Sequence, residues 1–291
     1  MPAWTTTGSL ADSLDDMISA ARITREFEGV MPNLVDRKRL GEGIGLSWNE
    51  ITLDQLVGQR ITETTDLENN PQQLSDSKIT VTPYDIGIHI FVTERVRARI
   101  SKESFVQSGP LAQNAIQRYK DEEGLDILDA ATTSLCGAGS TLTVNHIGAA
   151  VTRITSNLTE PGPKPIRCVL HGYQIKDLID DLIAGVGSMV VSDGPTARVL
   201  TEGWTIPILG VEVYEDGNIV PDGNDDAKGG VFSQMGIMLI EGRTLRHYTD
   251  FKPGKGGGGT SVYIYDEFAY GERSVGNWVY EIYSDATAPT S

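Results

Sequence analysis

The spacing of apolar and polar positions changes period several times along this chain. From Asp12 to Glu28 the spacing is helical, with Leu14, Ile18, Ala21 and Arg25 along one side. Asp15 and Asp16 lie early in that segment, where a helix dipole favours negative charge. Pro32 is expected to stop this helix, and Gly41, Gly43 and Gly45 follow it. Residues 1–45 therefore read as an arm, amphipathic but too short to stand alone, that docks on something else.

The next block alternates. Leu46–Ile51 and Gln59–Thr65 read as strands, Asp66–Ser77 is very polar, and alternation resumes over Lys78–Val81 and Ile86–Val92. Together residues 46–95 predict a long two-stranded hairpin with a polar tip. Such a ribbon is marginal by itself, so it must lie on its own domain or on a neighbouring subunit. A long helix is predicted over about 104–135. Ser104 with Gln107 fits a capping box, Ser108-Gly109-Pro110 is a second start signal, and Leu111, Ala115, Tyr119, Leu125, Leu128 and Leu135 recur at three- and four-residue steps. Gly124 is a weak spot in it, and Gly137-Ala138-Gly139 is expected to end it. At about 1.5 Å per residue it would be roughly 35–45 Å long.

Residues 143–235 alternate helix and strand. Thr143 or Asn145 caps a helix through Ile154, Ile166–Leu170 is a short buried strand, Tyr173–Val186 is a helix, and Thr205–Tyr214 is a strand region. Residues 236–284 are strand-rich, with Met238–Ile240, Leu245–Tyr248, Val262–Tyr265 and Trp278–Tyr283, and a polar tail follows. The class is α+β, and no internal repeat is visible.

Composition narrows the function. Among 291 residues, 24 Lys and Arg face 40 Asp and Glu, a formal net charge of −16. That balance excludes a protein built to grip nucleic acid through phosphates, so any such contact is local. Cys136 and Cys168 form no CxxC unit and read as free thiols of a reducing cytosol. The first residues lack the basic and apolar regions of a secretory signal, and no stretch approaches the length of a membrane helix.

The search for chemistry comes back empty. His89, His146, His171 and His247 show no metal-ligand spacing, and no GxSxG elbow is present. Gly41–Gly45 lacks the third glycine of a dinucleotide loop, and in Lys255–Thr260 the lysine precedes the glycines, unlike a Walker A loop. Asp222–Asp226 lacks the ligand alternation of an EF-hand and reads as a solvated turn. No catalytic residue, metal or cofactor is expected. Arg95, Arg97, Arg99 and Lys102, with Arg118 and Lys120, make one local positive region. Pairing with carboxylates of the same or a neighbouring subunit is the favoured role, and for Arg118 and Lys120 a weak contact with an internal polyanion is the sharper one.

The order of elements carries a resemblance. Ile79–Tyr84 and Ile90–Val96 lead into the long helix; Ile166–Gly172 precedes a helix and then Leu209-Gly210-Val211-Glu212-Val213; Gly230–Gln234, Met238–Glu241 and the strands through Ile282 close the chain. Over residues 46–286 this resembles the tailed-bacteriophage major capsid proteins of the HK97-type fold. The resemblance implies an N-terminal arm (1–45), an extended E-loop (46–95), a peripheral domain with a spine helix (96–142 and 236–286), an axial α/β domain (143–235) and a C-terminal tail (287–291). It also implies a shell of pentamers and hexamers around double-stranded DNA, held weakly, in a virion assembled in the host cytoplasm. No fused scaffold fits ahead of the hairpin, so a separate scaffolding protein is expected, with a portal and a decoration protein as further partners and no membrane. Inter-subunit contacts would involve Arg60, Glu63, Asp66, Glu68, Asp76, Lys78, Arg95, Arg97 and Arg99. Some relatives cross-link a lysine to an asparagine, for which Lys78 and Asn277 are the candidates. Two other readings stay open: a cage of the same fold that encloses cellular enzymes (an encapsulin), and an uncharacterised α+β enzyme.

Overall fold

The computed structural model describes residues 29–63, 68, 71–99, 108–186, 207, 210–255 and 257–290. The helix expected over 12–28 lies outside them.

Two five-stranded sheets are joined by one long helix. The first sheet contains β1 (Asp36–Arg39), β4 (Tyr84–Thr93), β9 (Ile237–Glu241), β10 (Arg246–Lys252) and β11 (Gly259–Glu272). β11 organises it. Its 14 residues pair antiparallel with β4 along one edge, and with β10 and then β9 along the other. β1 runs parallel to β9. The second sheet has the order β5 (Ser134–Cys136), β12 (Val279–Asp285), β8 (Asp226–Ser233), β6 (Ile166–Leu170) and β7 (Glu212–Glu215). A separate pair, β2 (Trp48–Leu53) and β3 (Asp76–Val81), forms a hairpin. The helices are α1 (Met31–Leu34), α2 (Glu94–Arg99), α3 (Ser108–Asp129), α4 (Val144–Thr155) and α5 (Gly172–Val186).

α3 starts at the Ser108-Gly109-Pro110 signal and has 22 residues, about 33 Å at the usual rise. It stops at Asp129 rather than near 135, because Ser134–Cys136 takes a parallel register beside Glu281–Tyr283. Its buried stripe is Ala112, Ile116, Lys120, Gly124 and Leu128; Leu125 and Leu128 are buried as expected, whereas Leu111 and Tyr119 face outward and their C-terminal neighbours are buried instead. Gly124 is a close-approach site. A Cβ there would lie 2.9 Å from Met31 Cβ and 3.1 Å from the Tyr270 ring.

The core is continuous across both sheets. Leu125 and Leu128 of α3 meet Phe232 and Val279 of the second sheet, Ile237, Leu239 and Phe268 of the first, and Met31, Leu34 and Val35 of the N-terminal segment. On its other face the second sheet is covered by α4 and α5, through Ile147, Ala150, Val151, Ile154 and Leu178. His146, three residues beyond Thr143, accepts the Thr143 backbone N–H at 3.2 Å and helps start α4.

Four expectations are corrected. Residues 29–40 are not part of a free arm: Met31, Leu34 and Val35 are core, and β1 is a sheet strand. Pro32 sits in the first turn of α1, as its locked φ permits, so a short helix begins where the pattern led to a glycine-rich run. Ile86–Val92 belongs to the first sheet and not to the hairpin, where β11 satisfies its backbone. The last strand, grouped by the resemblance with Met238–Glu241 in the peripheral domain, lies in the second sheet, because its partner is β8.

Candidate functional site

The outer part of the hairpin carries a run of apolar residues that stay exposed among the described residues. In β2 the inward positions are Trp48, Glu50 and Thr52, while Ile51 and Leu53 point out, 61% and 65% exposed. Leu56, Val57, Ile61 and Leu74 continue this exposed apolar run, with Val57 at 73%. Beyond the paired strands the ribbon is held by Asp54 N–H to Ser75 O (3.0 Å) and by Val57 N–H to Gln72 Oε1 (2.9 Å). The strand expected over Gln59–Thr65 is not formed at Gln59–Glu63, and Thr64 and Thr65 lie outside the described residues. The Gln72 side chain caps the ribbon there instead.

The root is anchored in two ways. Trp48, Ile79 and Val81 pack with Leu40 on Met238, Ile240 and Ala269 of the first sheet. Arg273, at the end of β11, donates through Nε to Glu50 Oε1 (2.7 Å), through Nη2 to Asp36 Oδ2 (2.8 Å), and through Nη1 to the Met235 carbonyl. Its side chain is only 8% exposed. One guanidinium thus joins β1, β2, β11 and the turn before β9, in the fixed fork geometry that suits carboxylates.

The sequence-predicted contact residues are dispersed. Arg60, Glu63, Glu68, Asp76 and Lys78 are exposed along the hairpin, and Asp66 lies outside the described residues. Arg95, Arg97 and Arg99 sit exposed on α2, where Arg97 pairs with Glu94 at 3.3 Å. Arg118 is exposed and pairs with Glu122 at 3.4 Å. Lys120 is a correction. Its side chain is buried beneath the first sheet, with Nζ 2.8 Å from Glu241 Oε1 and 3.5 Å from Asp266 Oδ2. A buried, paired ammonium cannot reach a polyanion, so the expected positive region with Arg118 does not form. Burial would raise the Glu241 carboxyl, but hydrogen bonds from Lys120 and Arg37 win and hold it below the usual carboxylate range.

Lys78 and Asn277 differ as cross-link candidates. Lys78 is exposed on β3, whereas the half-buried Asn277 accepts from Asn157 Nδ2 (2.8 Å) and donates to Ser274 Oγ (3.1 Å). Both ends of that amide are already engaged. The exposed apolar residues of the hairpin are what charge-based reading overlooks. Their signal was present in the sequence, as Leu56, Val57, Ile61 and Leu74 scattered through a polar stretch.

Elsewhere the chemistry is structural. His89 stacks on Tyr263 (4.4 Å, 7° between planes) and lies 3.1 Å from Ser261 Oγ. Cys168 is fully buried, which pushes its thiol far up, and Cys136 is also raised by burial. Asp222 closes its own turn by accepting Asn224 N–H (2.8 Å) and Tyr283 OH (2.8 Å). Among the described residues no group of three or more His, Cys, Asp or Glu is placed to hold a metal ion, and no helix is long and apolar enough to cross a membrane.

No family model matches the sequence, and no curated protein matches it. Solved structures do. The cyanophage Pam1 capsid superposes with a TM-score of 0.77 at 10% identity, covering 99% of this chain and 100% of that one. The capsid of cyanophage P-SCSP1u gives 0.71 at 12%, covering 97% and 96%. A chain of Mycobacterium phage Che8 gives 0.67 at 15%, covering 92% and 97%. The likeness spans the whole architecture, and this chain has the HK97-type fold of phage capsid subunits.

Proposed function

We propose that this chain is the major capsid protein of a tailed phage, a structural subunit without catalytic activity. It assembles through its hairpin and N-terminal arm into pentamers and hexamers of an icosahedral shell around double-stranded DNA. One observation carries the reading: on a fold shared with phage capsid subunits, a rigidly rooted hairpin presents apolar residues that nothing among the described residues covers. Exposed apolar surface of that kind marks an interaction site, and contacts between unlike surfaces of identical copies close into rings. On this reading the first sheet with α3 is the peripheral domain. The second sheet with α4 and α5 is the axial domain, gathered around the capsomer axis, and 46–81 is the E-loop. A separate scaffolding protein and a portal complete the assembly, and a decoration protein is a further partner. The particle forms in the host cytoplasm. The net charge of −16 supports weak contact with the packaged genome.

Electron microscopy of the purified full-length protein tests the proposal. Closed hollow particles, with nucleic acid inside when recovered from virions, are expected. A stable monomer in sedimentation at high concentration would overturn it, and particles filled with a cellular enzyme would reassign the shell to a cargo cage.

A further inference from the structure

Two carboxyl groups meet in the interior where three chain segments join. Asp121, on the buried side of α3, is 0% exposed, and Asp216, just past β7, is 1% exposed. They lie within hydrogen-bonding reach of one another. Asn218 bridges them, its backbone N–H donating to Asp216 Oδ1 (2.9 Å) and its side-chain Nδ2 to Asp121 Oδ2 (2.9 Å). The N-terminal segment closes the third side. Met31 N–H donates to Asp121 Oδ1 at 2.9 Å. The approach is so tight that a Cβ on Gly29 would fall 2.4 Å from Asp121 Cβ.

The donors do not suffice for two charges. Asp216 Oδ2 is buried and receives no hydrogen bond. Among the described residues neither carboxyl forms an ion pair. From β11, Tyr270 faces Asp121; its hydroxyl is buried and unpartnered, and burial first, then the Asp121 charge, keeps the phenol protonated. Arg37 and Glu241 also face Tyr270, but they are paired with each other at 2.9 Å. Two touching carboxylates without a cation cannot both ionise at modest cost. A proton on Asp216 supplies the missing donor.

We propose that Asp216 carries a proton that bridges it to Asp121 and forms a pH-sensitive latch, which holds the Gly29–Leu34 segment against α3 while the proton is present and releases it when the proton is lost. The direction of the titration agrees. Burial, then the hydrogen bond and charge of Asp121, push the Asp216 carboxyl up to about 7. A carboxyl raised in the closed state favours closure at low pH, and that preference is lost as pH rises through the raised value.

Hydrogen exchange on the full-length, unassembled chain tests the latch. The protection factor of the Met31 amide, corrected for intrinsic exchange, is expected to fall about a hundredfold from pH 5 to pH 8.5, roughly tenfold per unit below the closed-state value and little above it. Asp216→Asn, which removes the titration but keeps the shape, should flatten that dependence. In the wild-type chain carrying 13C-labelled aspartate carboxyls, one carboxyl should titrate near neutrality. Equal protection at both pH values, an unchanged fall in Asp216→Asn, or every aspartate titrating below pH 5 would each overturn the proposal. So would protection at pH 8.5 that added calcium restores and a chelator removes, since the site would then hold a cation instead of a proton.

Discussion

The body of the molecule and its hairpin are built from similar residue types with opposite outcomes. In the body, Leu128, Phe232 and Phe268 are fully buried by elements far apart in sequence. In the outer half of the hairpin, Ile51, Leu53 and Val57 stand in solvent with only a two-stranded ladder beneath them. A two-stranded ribbon has one layer, and a core needs two. The described body thus closes its core within one chain, while the hairpin, on the proposed reading, offers half of an interface.

Substitutions can break or sharpen this contrast, and their effects on the isolated chain should decline from the body outward. Leu128→Ala removes a side chain shared by both sheets and should cost about 3–5 kcal/mol, read as a lower midpoint in urea. Arg273→Met should cost about 2–4 kcal/mol, because Asp36 and Glu50 lose their shared cation. Its signature should be local, with exchange rising at the hairpin root before the second sheet is affected. Glu241→Gln should have a smaller, pH-bounded effect. The carboxylate is stabilised when ionised, so its contribution is present above the unfolded value and lost as pH falls through the lowered folded value. The variant should therefore melt lower near neutrality, with the gap to the parent closing as pH falls, so that its acid limb is shallower. Ile51→Ser with Leu53→Ser should move the isolated chain by less than about 0.5 kcal/mol yet abolish particles in sedimentation. If the pair destabilises the monomer as much as Leu128→Ala does, the hairpin is folded onto its own body and the contrast fails.

Much of the second sheet was legible in the sequence. Ile166–Leu170, apolar apart from Arg167, precedes a periodic helix, and both appear where the pattern puts them. β1 was not legible. Asp36–Arg39 is entirely charged, and it is a strand only because β9 offers its backbone a parallel partner. The end of α3 was misread for a related reason. Leu135 continues the helical period, but pairing with β12 outweighs local spacing. Lys120 shows the limit for the candidate site: a lysine among polar helical neighbours looks like surface until Glu241 and Asp266 arrive from two other strands. In the hairpin Arg60, Glu63, Glu68, Asp76 and Lys78 are exposed, and the exposed apolar residues between them were the missed half.

The Arg273 clamp has a mechanical side. β2 spans about 20 Å at the usual strand rise, so a tilt of about 3° at its root displaces its far end by about 1 Å, more than a well-packed contact tolerates. Four chain segments meeting at one guanidinium act as a stiff bearing for that lever. In the shell proposed above, a ring of five or six copies would have to return to its starting copy, angular error would add at each step, and the play in this bearing would set whether the circle closes.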